Sequence, residues 1–213
     1  MSWAANGTFP GQTEFAGAGT VGLNNTAVGD LILMVAVSID SASNWVNSVT
    51  GGGATWTQIG SHFVGSVNGM IATTWQGKVT ATGSQTATIG VTGGSPTIDI
   101  VTQEFSSTVG SWSVDMFANL DSPGTNTWPS LTPAAAGELY FGFVINGAAI
   151  AGSTPGYTYE VTTQGNGCAF NPSCGASATD PVWSDSSQKF GRVVLVRETP
   201  AASSPRLLMA SYP

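Results

Sequence analysis

Residues 27–37 read AVGDLILMVAV, and residues 135–145, which lie 108 positions further along the chain, read AAGELYFGFVI. In each copy a glycine and an acidic residue, Asp30 or Glu138, come directly before the apolar run. A run that is apolar at every position, and not only at alternate ones, is typical of a strand that is buried on both faces. We therefore expect two central strands, each entered through a turn that its acidic residue caps.

The similarity between the two copies continues further along the chain. ATWT at residues 54–57 corresponds to YTYE at residues 157–160, with a link to the first match that is five residues shorter in the second copy. One explanation is chance, because many strands are entered through a glycine, an acid and an apolar run. The other is pseudo-symmetry within a jelly roll, in which two central strands occupy equivalent places. Two copies at so long a period exclude a solenoid of short stacked repeats.

The composition favours strands over helices. Only 8% of the residues are charged, against roughly 25% in an average domain, and long surface helices need charged residues on their outer face. Serine, threonine and asparagine can fill the solvent-facing positions of strands instead. Roughly ten short strand signals separated by turn signals predict an all-β fold. The expected architecture is a two-sheet β-sandwich of jelly-roll type with extended N- and C-terminal arms.

The sandwich is expected over residues 20–198, between an N-terminal arm of residues 1–19 and a C-terminal arm of residues 199–213. The C-terminal arm combines a linker-like stretch rich in Pro, Ser and Ala with a short apolar segment. Apolar side chains in such termini indicate docking on the domain or on a partner, and we favour a partner. The expected docking residues are Trp3, Phe9, Leu207, Leu208, Met209 and Tyr212.

The charge of the chain argues against nucleic acid as a partner, and its apolar runs argue against insertion into a membrane. Its net charge is −7 with only five basic residues, so no basic patch could neutralise several phosphates of a nucleic acid. The N-terminal segment has no positively charged start followed by an apolar run, which argues against a secretory signal. No apolar run is long enough for a membrane helix. We expect a protein made in the cytoplasm that neither binds nucleic acid nor inserts into a membrane.

The sequence offers little chemistry for catalysis. A catalytic triad would have to use His62, the single histidine, and no G-x-S-x-G elbow accompanies it. The acids are scattered, so no pair of carboxylates suited to glycoside hydrolysis stands out. We predict that the chain is not an enzyme and that it binds no cofactor and no metal.

Two cysteines, Cys168 and Cys174, enclose the short segment CAFNPSC, within a long predicted loop over residues 164–179. They are either free thiols or a disulfide that closes a turn, depending on the redox compartment. A zinc site is not expected, because one C-x5-C pair and one histidine supply too few ligands.

Aromatic residues are the remaining candidates for recognition. Trp56 and Trp75 fall in strand-like segments, which predicts that they belong to the core. Four others lie in or near predicted loops, where they could form a platform for a ligand such as a sugar or pack against a partner. These four are Trp45, Trp128, Tyr157 and Trp183.

Seven segments of the chain carry a resemblance to a known family. They are GDLILMVAVSID (29–40), SVTGGGATWTQI (48–59), TTWQGKV (73–79), TGSQTATIGV (82–91), EFSS (104–107), SVDMFA (113–118) and LTPAAAGELYFGFV (131–144). In pattern and order they resemble a jelly-roll module that recurs in minor tail proteins of tailed, mycobacteriophage-like phages that infect actinobacteria. The resemblance covers residues 20–198 and does not rest on one short signature.

This resemblance implies a structural component of a phage particle. The expected protein is a minor tail protein that docks on other virion proteins, including copies of itself, and contacts the host envelope and its glycans. Its location would be the virion. Two alternatives stay open at this point, a capsid decoration protein and a carbohydrate-binding module.

Overall fold

The computed structural model describes residues 3–39, 41–66, 69–146, 152–184 and 188–199. These residues form no helix, and therefore none that could cross a membrane. Strands make up 63% of the structure, which confirms the all-β prediction. The strands are β1 (Trp3–Ala16), β2 (Gly19–Asn25), β3 (Leu31–Ser38), β4 (Val46–Gly51), β5 (Ala54–Gln58), β6 (Phe63–Val64), β7 (Ile71–Val79), β8 (Gly83–Val91), β9 (Thr97–Ser107), β10 (Trp112–Thr125), β11 (Glu138–Ile145), β12 (Thr158–Val161), β13 (Gly167–Cys174) and β14 (Gln188–Glu198).

The strands form three antiparallel sheets, where the sequence had predicted two. The central sheet has the order β1-β9-β3-β7-β5, with β6 also paired to β7. The C-terminal sheet has the order β10-β14-β11-β13-β12, and the small sheet has the order β2-β8-β4. The number of sheets could not be predicted from the sequence, because a strand that is apolar on both faces does not show which element covers each face.

The central sheet lies between the other two sheets and shares a core with each. On one of its faces, Leu33 and Val35 of β3 pack in the main core with Phe141 and Phe143 of the C-terminal sheet. On the other face, Met34 packs in a second core with residues of β2, β4 and β8. Every residue of β3 is buried, because both faces of this strand are covered by another sheet.

The repeated sequence corresponds to a repeated topology. β3 is the middle strand of the central sheet, and β11, also buried at every position, is the middle strand of the C-terminal sheet. The other strands correspond in chain order as well, since β1, β5, β7 and β9 take the places that β10, β12, β13 and β14 take in the C-terminal sheet. The small sheet is formed by strands of the first half that lie between these elements.

The turn before each middle strand is built in the same way. Gly29 and Gly137 have φ angles of 96° and 91°, a region that glycine enters without steric cost. The N–H of Gly29 donates to the carbonyl of Val79 at 2.9 Å, and the N–H of Gly137 donates to the carbonyl of Cys174 at 2.7 Å. The two glycines therefore tie the start of each middle strand to the end of its neighbour, β7 or β13.

The acidic residues of the two turns act differently. The carboxylate of Glu138 accepts the backbone N–H of Ala135 at 3.0 Å, which is the predicted cap. Asp30 instead accepts hydrogen bonds from the side chains of Asn6 and Thr26. The backbone of the first turn is held by Glu104, whose carboxylate accepts the N–H of Thr26 at 2.9 Å. The capping prediction for Asp30 is wrong, because a nearby strand supplies a better placed carboxylate.

Residues 3–16, which were predicted as part of the N-terminal arm, belong to the central sheet. Residues 3–16 form β1, which pairs with β9 from Trp3 opposite Ser107 to Ala16 opposite Thr97. The predicted docking residue Trp3 is buried in the main core. An edge of a sheet offers unpaired backbone groups along its whole length, and β1 satisfies those of β9.

Two groups of predicted docking residues are not placed by the structure. Phe9 lies within β1, but its side chain is outside the described part of the structure. Leu207, Leu208, Met209 and Tyr212 lie beyond residue 199 and are outside the described residues altogether. Their role in docking stays a prediction.

Candidate functional site

Three of the four aromatic residues predicted to form a platform come together, but as a packed cluster. Trp128 and Trp183 are only 2% and 1% exposed, and their rings stack with centroids 5.5 Å apart on the outer face of the C-terminal sheet. Tyr157 packs against the same cluster. The predicted platform is therefore wrong for both tryptophans, because neither offers a ring face to a ligand.

Glycines in the C-terminal sheet make room for these indoles. A Cβ atom added to Gly142 of β11 would lie 2.8 Å from the Trp128 ring, and one added to Gly167 of β13 would lie 2.8 Å from the Trp183 ring. Gly142 interrupts the otherwise apolar run of the second repeat. A glycine in the middle of a strand often marks close approach of another group, and this was the available signal for a tryptophan above the sheet.

Among the described residues of the second half, two segments that contain or adjoin these indoles take the place that the small sheet has in the first half. Residues 127–131 and 179–182 form antiparallel bridges, Thr127 to Val182 and Leu131 to Thr179. The first segment precedes β11 as β2 precedes β3, and the second lies between β13 and β14 as β8 lies between β7 and β9. β2 and β8 also pair antiparallel. The hydroxyl of Tyr140 donates to the carbonyl of Pro129 at 3.0 Å and fixes the first segment to the sheet. The cluster is therefore a third core.

Trp45 lies apart from the other three and stacks on His62. The two ring centroids are 3.9 Å apart with planes tilted by 22°. Both side chains are partly exposed, and the indole covers one face of the imidazole. Of the four predicted platform residues, Trp45 and Tyr157 are the two that stay partly exposed.

The two cysteines are free thiols, and the disulfide alternative does not fit the structure. Residues 167–174 form strand β13, so the predicted loop over residues 164–179 is wrong for this stretch. The six steps from Cys168 to Cys174 span about 20 Å of extended chain, whereas bridged Cα atoms lie within about 7 Å. An irregularity in the pairing with β11 also places Cys168 in the main core and Cys174 in the third core.

A groove between the central sheet and the C-terminal sheet was not among the sites predicted from the sequence. It consists of two adjoining depressions of about 350 Å³ and 470 Å³ that share Gln76. Its floor is the part of the central sheet that the C-terminal sheet leaves uncovered, and its wall is strand β10. The floor residues are Thr55, Thr57, Gln76 and Lys78, and the wall runs from Ser111 to Phe117.

The strand register explains why the floor is polar. Thr55 lies opposite Lys78 and Thr57 lies opposite Gln76, so the four side chains share one face of the sheet. Trp56 and Gly77 lie between them on the other face, where the Trp56 ring covers Gly77. The alternation of threonine with alanine and tryptophan in ATWTQ was the sequence signal for this face.

The equivalent space on the opposite side of the molecule is closed. There the corresponding strands are β1 and β12, and the side-chain oxygen of Gln12 in β1 accepts both the N–H and the hydroxyl of Thr163, just after β12, at 2.9 Å and 3.1 Å. At the groove, the corresponding strands β10 and β5 are separated by the depressions. The groove is therefore a departure from the internal repeat.

The wall contributes aromatic rings that other side chains hold in place. Trp112 is partly exposed and packs edge-to-face on the buried Trp3, with centroids 6.2 Å apart. The ammonium of Lys78 lies 5.7 Å from the centroid of the Trp112 ring. At the other end, Phe117 is 40% exposed and its ring lies 4.5 Å from the guanidinium of Arg192.

Arg192 lies next to Phe117 and Gly60, two residues that line the second depression. It is buried and donates to the carbonyl of Ser61 at 2.7 Å. Burial lowers the pKa of its guanidinium to about 10, so the group stays charged at neutral pH. Its Nε has no hydrogen-bond partner among the described residues. Arg192 thus anchors the segment after β5 to the C-terminal sheet.

The groove offers both hydrogen-bond donors and hydrogen-bond acceptors beside an aromatic wall. Threonine hydroxyls and the Lys78 ammonium donate, and the Gln76 amide and the Asp115 carboxylate accept. Within the part of the chain that the structure describes, no group of three or more His, Cys, Asp or Glu side chains could hold a metal ion. In comparisons with known proteins, no family model, no curated protein and no solved structure matches this chain.

Proposed function

We propose that this chain is a structural subunit of a tailed bacteriophage particle, a minor tail protein that docks on neighbouring virion proteins. The observation that carries the proposal is the ordered set of segments that resembles the phage module. These segments supply strands of both halves of the molecule, among them β3, β5, β7, β8 and β11. The resemblance therefore involves the framework of the fold, where a structural protein would keep its pattern.

We also infer that each half is a jelly roll. The pairs β1–β9, β2–β8 and β3–β7 are antiparallel and nested one inside the next. A long hairpin that rolls up on itself gives this nesting, which is the principle of the jelly roll. In the second half β10–β14 and β11–β13 are nested in the same way, and the bridged segments 127–131 and 179–182 stand between them.

The composition supports a subunit that is packed among neighbours. Only 8% of the residues are charged, and interface cores are depleted of charged residues because burying a charge is costly. Contact with the host envelope belongs to the same proposal, since tail proteins work at that surface.

The proposal is tested by incorporation into particles. A phage that lacks this gene is complemented with the full-length chain or with a variant that ends at residue 199, and purified particles are probed with an antibody against residues 20–198. We expect the full-length protein in the particles and loss of the truncated one, with both folded by circular dichroism. Absence of the full-length protein from purified particles would overturn the proposal.

A matched pair of variants isolates the docking residues. The double substitution Leu207→Ala and Leu208→Ala is compared with Ser203→Ala and Ser204→Ala in the same segment. We expect only the leucine variant to be lost from particles. Equal incorporation of both variants would mean that the C-terminal segment does not dock through its apolar residues. Immunogold labelling on the tail supports a tail protein, and labelling on the head supports the decoration alternative.

A further inference from the structure

We propose that the groove between β5, β7 and β10 binds a short, neutral oligosaccharide. The site lies in a different place from the buried aromatic cluster of Trp128 and Trp183. It rests on its own residues and does not depend on the proposed role in a phage particle.

The wall suits the apolar face of a sugar ring. Such a face of C–H groups packs well on an aromatic ring, and a ring that is already fixed loses little entropy on binding. Trp3 supports Trp112 from the core side at 6.2 Å. Val114 and Phe117 extend the wall to the second depression. Two sugar rings in succession would therefore meet Trp112 and then Phe117.

The floor suits the hydroxyl groups of the same ligand. Thr55, Thr57 and Lys78 are exposed and stand on the face of the sheet below the wall. The side-chain oxygen of Gln76, where the two depressions meet, is buried without a hydrogen-bond partner in the described structure. An unpaired buried acceptor costs about 1–3 kcal/mol. Gln76 lines both depressions, so its side-chain amide can turn toward a ligand in the groove, and a sugar hydroxyl that donates to its oxygen would then remove that cost.

The charges at the groove favour a neutral ligand. Lys78 is a cation on the floor, whereas Asp115 is an acid on the wall and lies 3.9 Å from Arg197. Arg197 offsets Asp115, and Lys78 is the one cation among the described residues that line the groove, which is too little positive charge to select a polyanion, while the paired Asp115 does not select a polycation. A peptide strand is disfavoured as well, because the bulge between Val114 and Met116 breaks the regular edge of β10.

The test starts from an array of neutral glucan, mannan, galactan and arabinan fragments that also carries acidic glycans. The best binder is then titrated into ¹⁵N-labelled full-length protein by NMR. We expect shifts at the indole N–H of Trp112 and the side-chain amide of Gln76 at millimolar ligand or below. Trp112→Ala should weaken binding at least tenfold and Gln76→Ala several-fold.

Trp45→Ala is the matched control, since Trp45 is a partly exposed tryptophan that does not line the groove. It should leave the affinity unchanged. Gln76→Ala removes no core side chain, so it keeps the test valid if Trp112→Ala fails to fold. The proposal is overturned if no neutral fragment binds at millimolar concentration, if only acidic glycans bind, or if Trp45→Ala abolishes binding while Gln76→Ala does not. Particle incorporation is measured separately, so either idea can fail alone.

Discussion

Asp99 is a carboxylic acid with 0% exposure on β9, where β9 faces the C-terminal sheet. One of its oxygens accepts from the side-chain amide of Asn166 at 2.6 Å, and the other has no partner within the described structure. Burial raises the pKa of Asp99 to about 6. Burial, together with the neighbouring Glu104, raises the pKa of Asp30 to about 6 as well. The folded protein therefore binds protons more tightly than the unfolded chain at these two sites.

Stability should fall as the pH rises through this range. A carboxyl whose pKa is raised on folding contributes its full stability below the unfolded value near 4, and this is lost as the pH rises through about 6. A shift of about two units corresponds to roughly 3 kcal/mol. Between pH 4 and pH 7 the wild type should lose roughly 3 kcal/mol of stability through Asp99. We expect the variant Asp99→Asn, which keeps an acceptor for Asn166, not to show this loss. Urea unfolding at several pH values measures this, and an unchanged pH dependence would contradict it.

The cysteines give a second prediction at the residue scale. Burial raises the pKa of both thiols, to about 11 for Cys174, and the thiolate is the reactive form. Neither cysteine should react with iodoacetamide in the native protein, and both should react in urea without a reducing agent. Mass spectrometry counts the added groups. A chain that takes up no reagent in urea would contain the disulfide that the geometry excludes.

Among the structural elements, the entry turns depend on their glycines. A Cβ added to Gly29 would touch nothing within 4 Å, so substitution costs only the strain of a positive φ angle, about 1–2 kcal/mol. We expect Gly29→Ala to lower the free energy of unfolding by that amount. Gly22→Ala in β2 is the control, since its Cβ also meets open space and its φ is not positive. Equal destabilisation by both variants would contradict the role of the turn.

The third core gives a further prediction for an element. Trp183 is almost completely buried, and replacing a buried tryptophan with alanine costs about 3–5 kcal/mol. We expect Trp183→Ala to destabilise the protein by that amount in chemical unfolding and Trp45→Ala to cost clearly less. A mild effect of Trp183→Ala on stability would mean that the indole is free to bind a ligand.

At the scale of the whole molecule, the two halves of the repeat depend on each other. The main core contains Leu33 and Val35 from the first half and Phe141, Phe143 and Val194 from the second. Each half alone would expose its side of this core to water, and burial of apolar surface is the main force for folding. The two halves are therefore expected to fold as one cooperative unit.

Splitting the chain tests this dependence. Fragments of residues 1–109 and 110–213 should each be unfolded or aggregated alone and should recover native circular dichroism when they are refolded together. The intact chain should show a single unfolding transition by fluorescence and by circular dichroism. Two separate transitions, or a fragment that is monomeric and folded, would show that the halves are independent domains.

The sequence alone determined what depends on local pattern. Low charge and apolar runs indicated mainly strands with little helix, and the repeat located the two middle strands, β3 and β11. Trp75 was predicted in the core and is buried there. Each of these features depends on which faces of a segment are apolar, and the pattern of apolar residues over a few neighbouring positions is enough to show this.

The tertiary structure decided which element covers each of those faces. An apolar face does not specify its partner, so the third sheet, the place of β1 beside β9 and the burial of Trp128 and Trp183 could not be read from the chain. The bulge in β13, which directs its two cysteines into different cores, depends on pairing with β11. The groove also depends on how distant strands are placed. Its polar floor is exposed because β10 and β5 stand apart, whereas on the opposite side β1 contacts the segment just after β12.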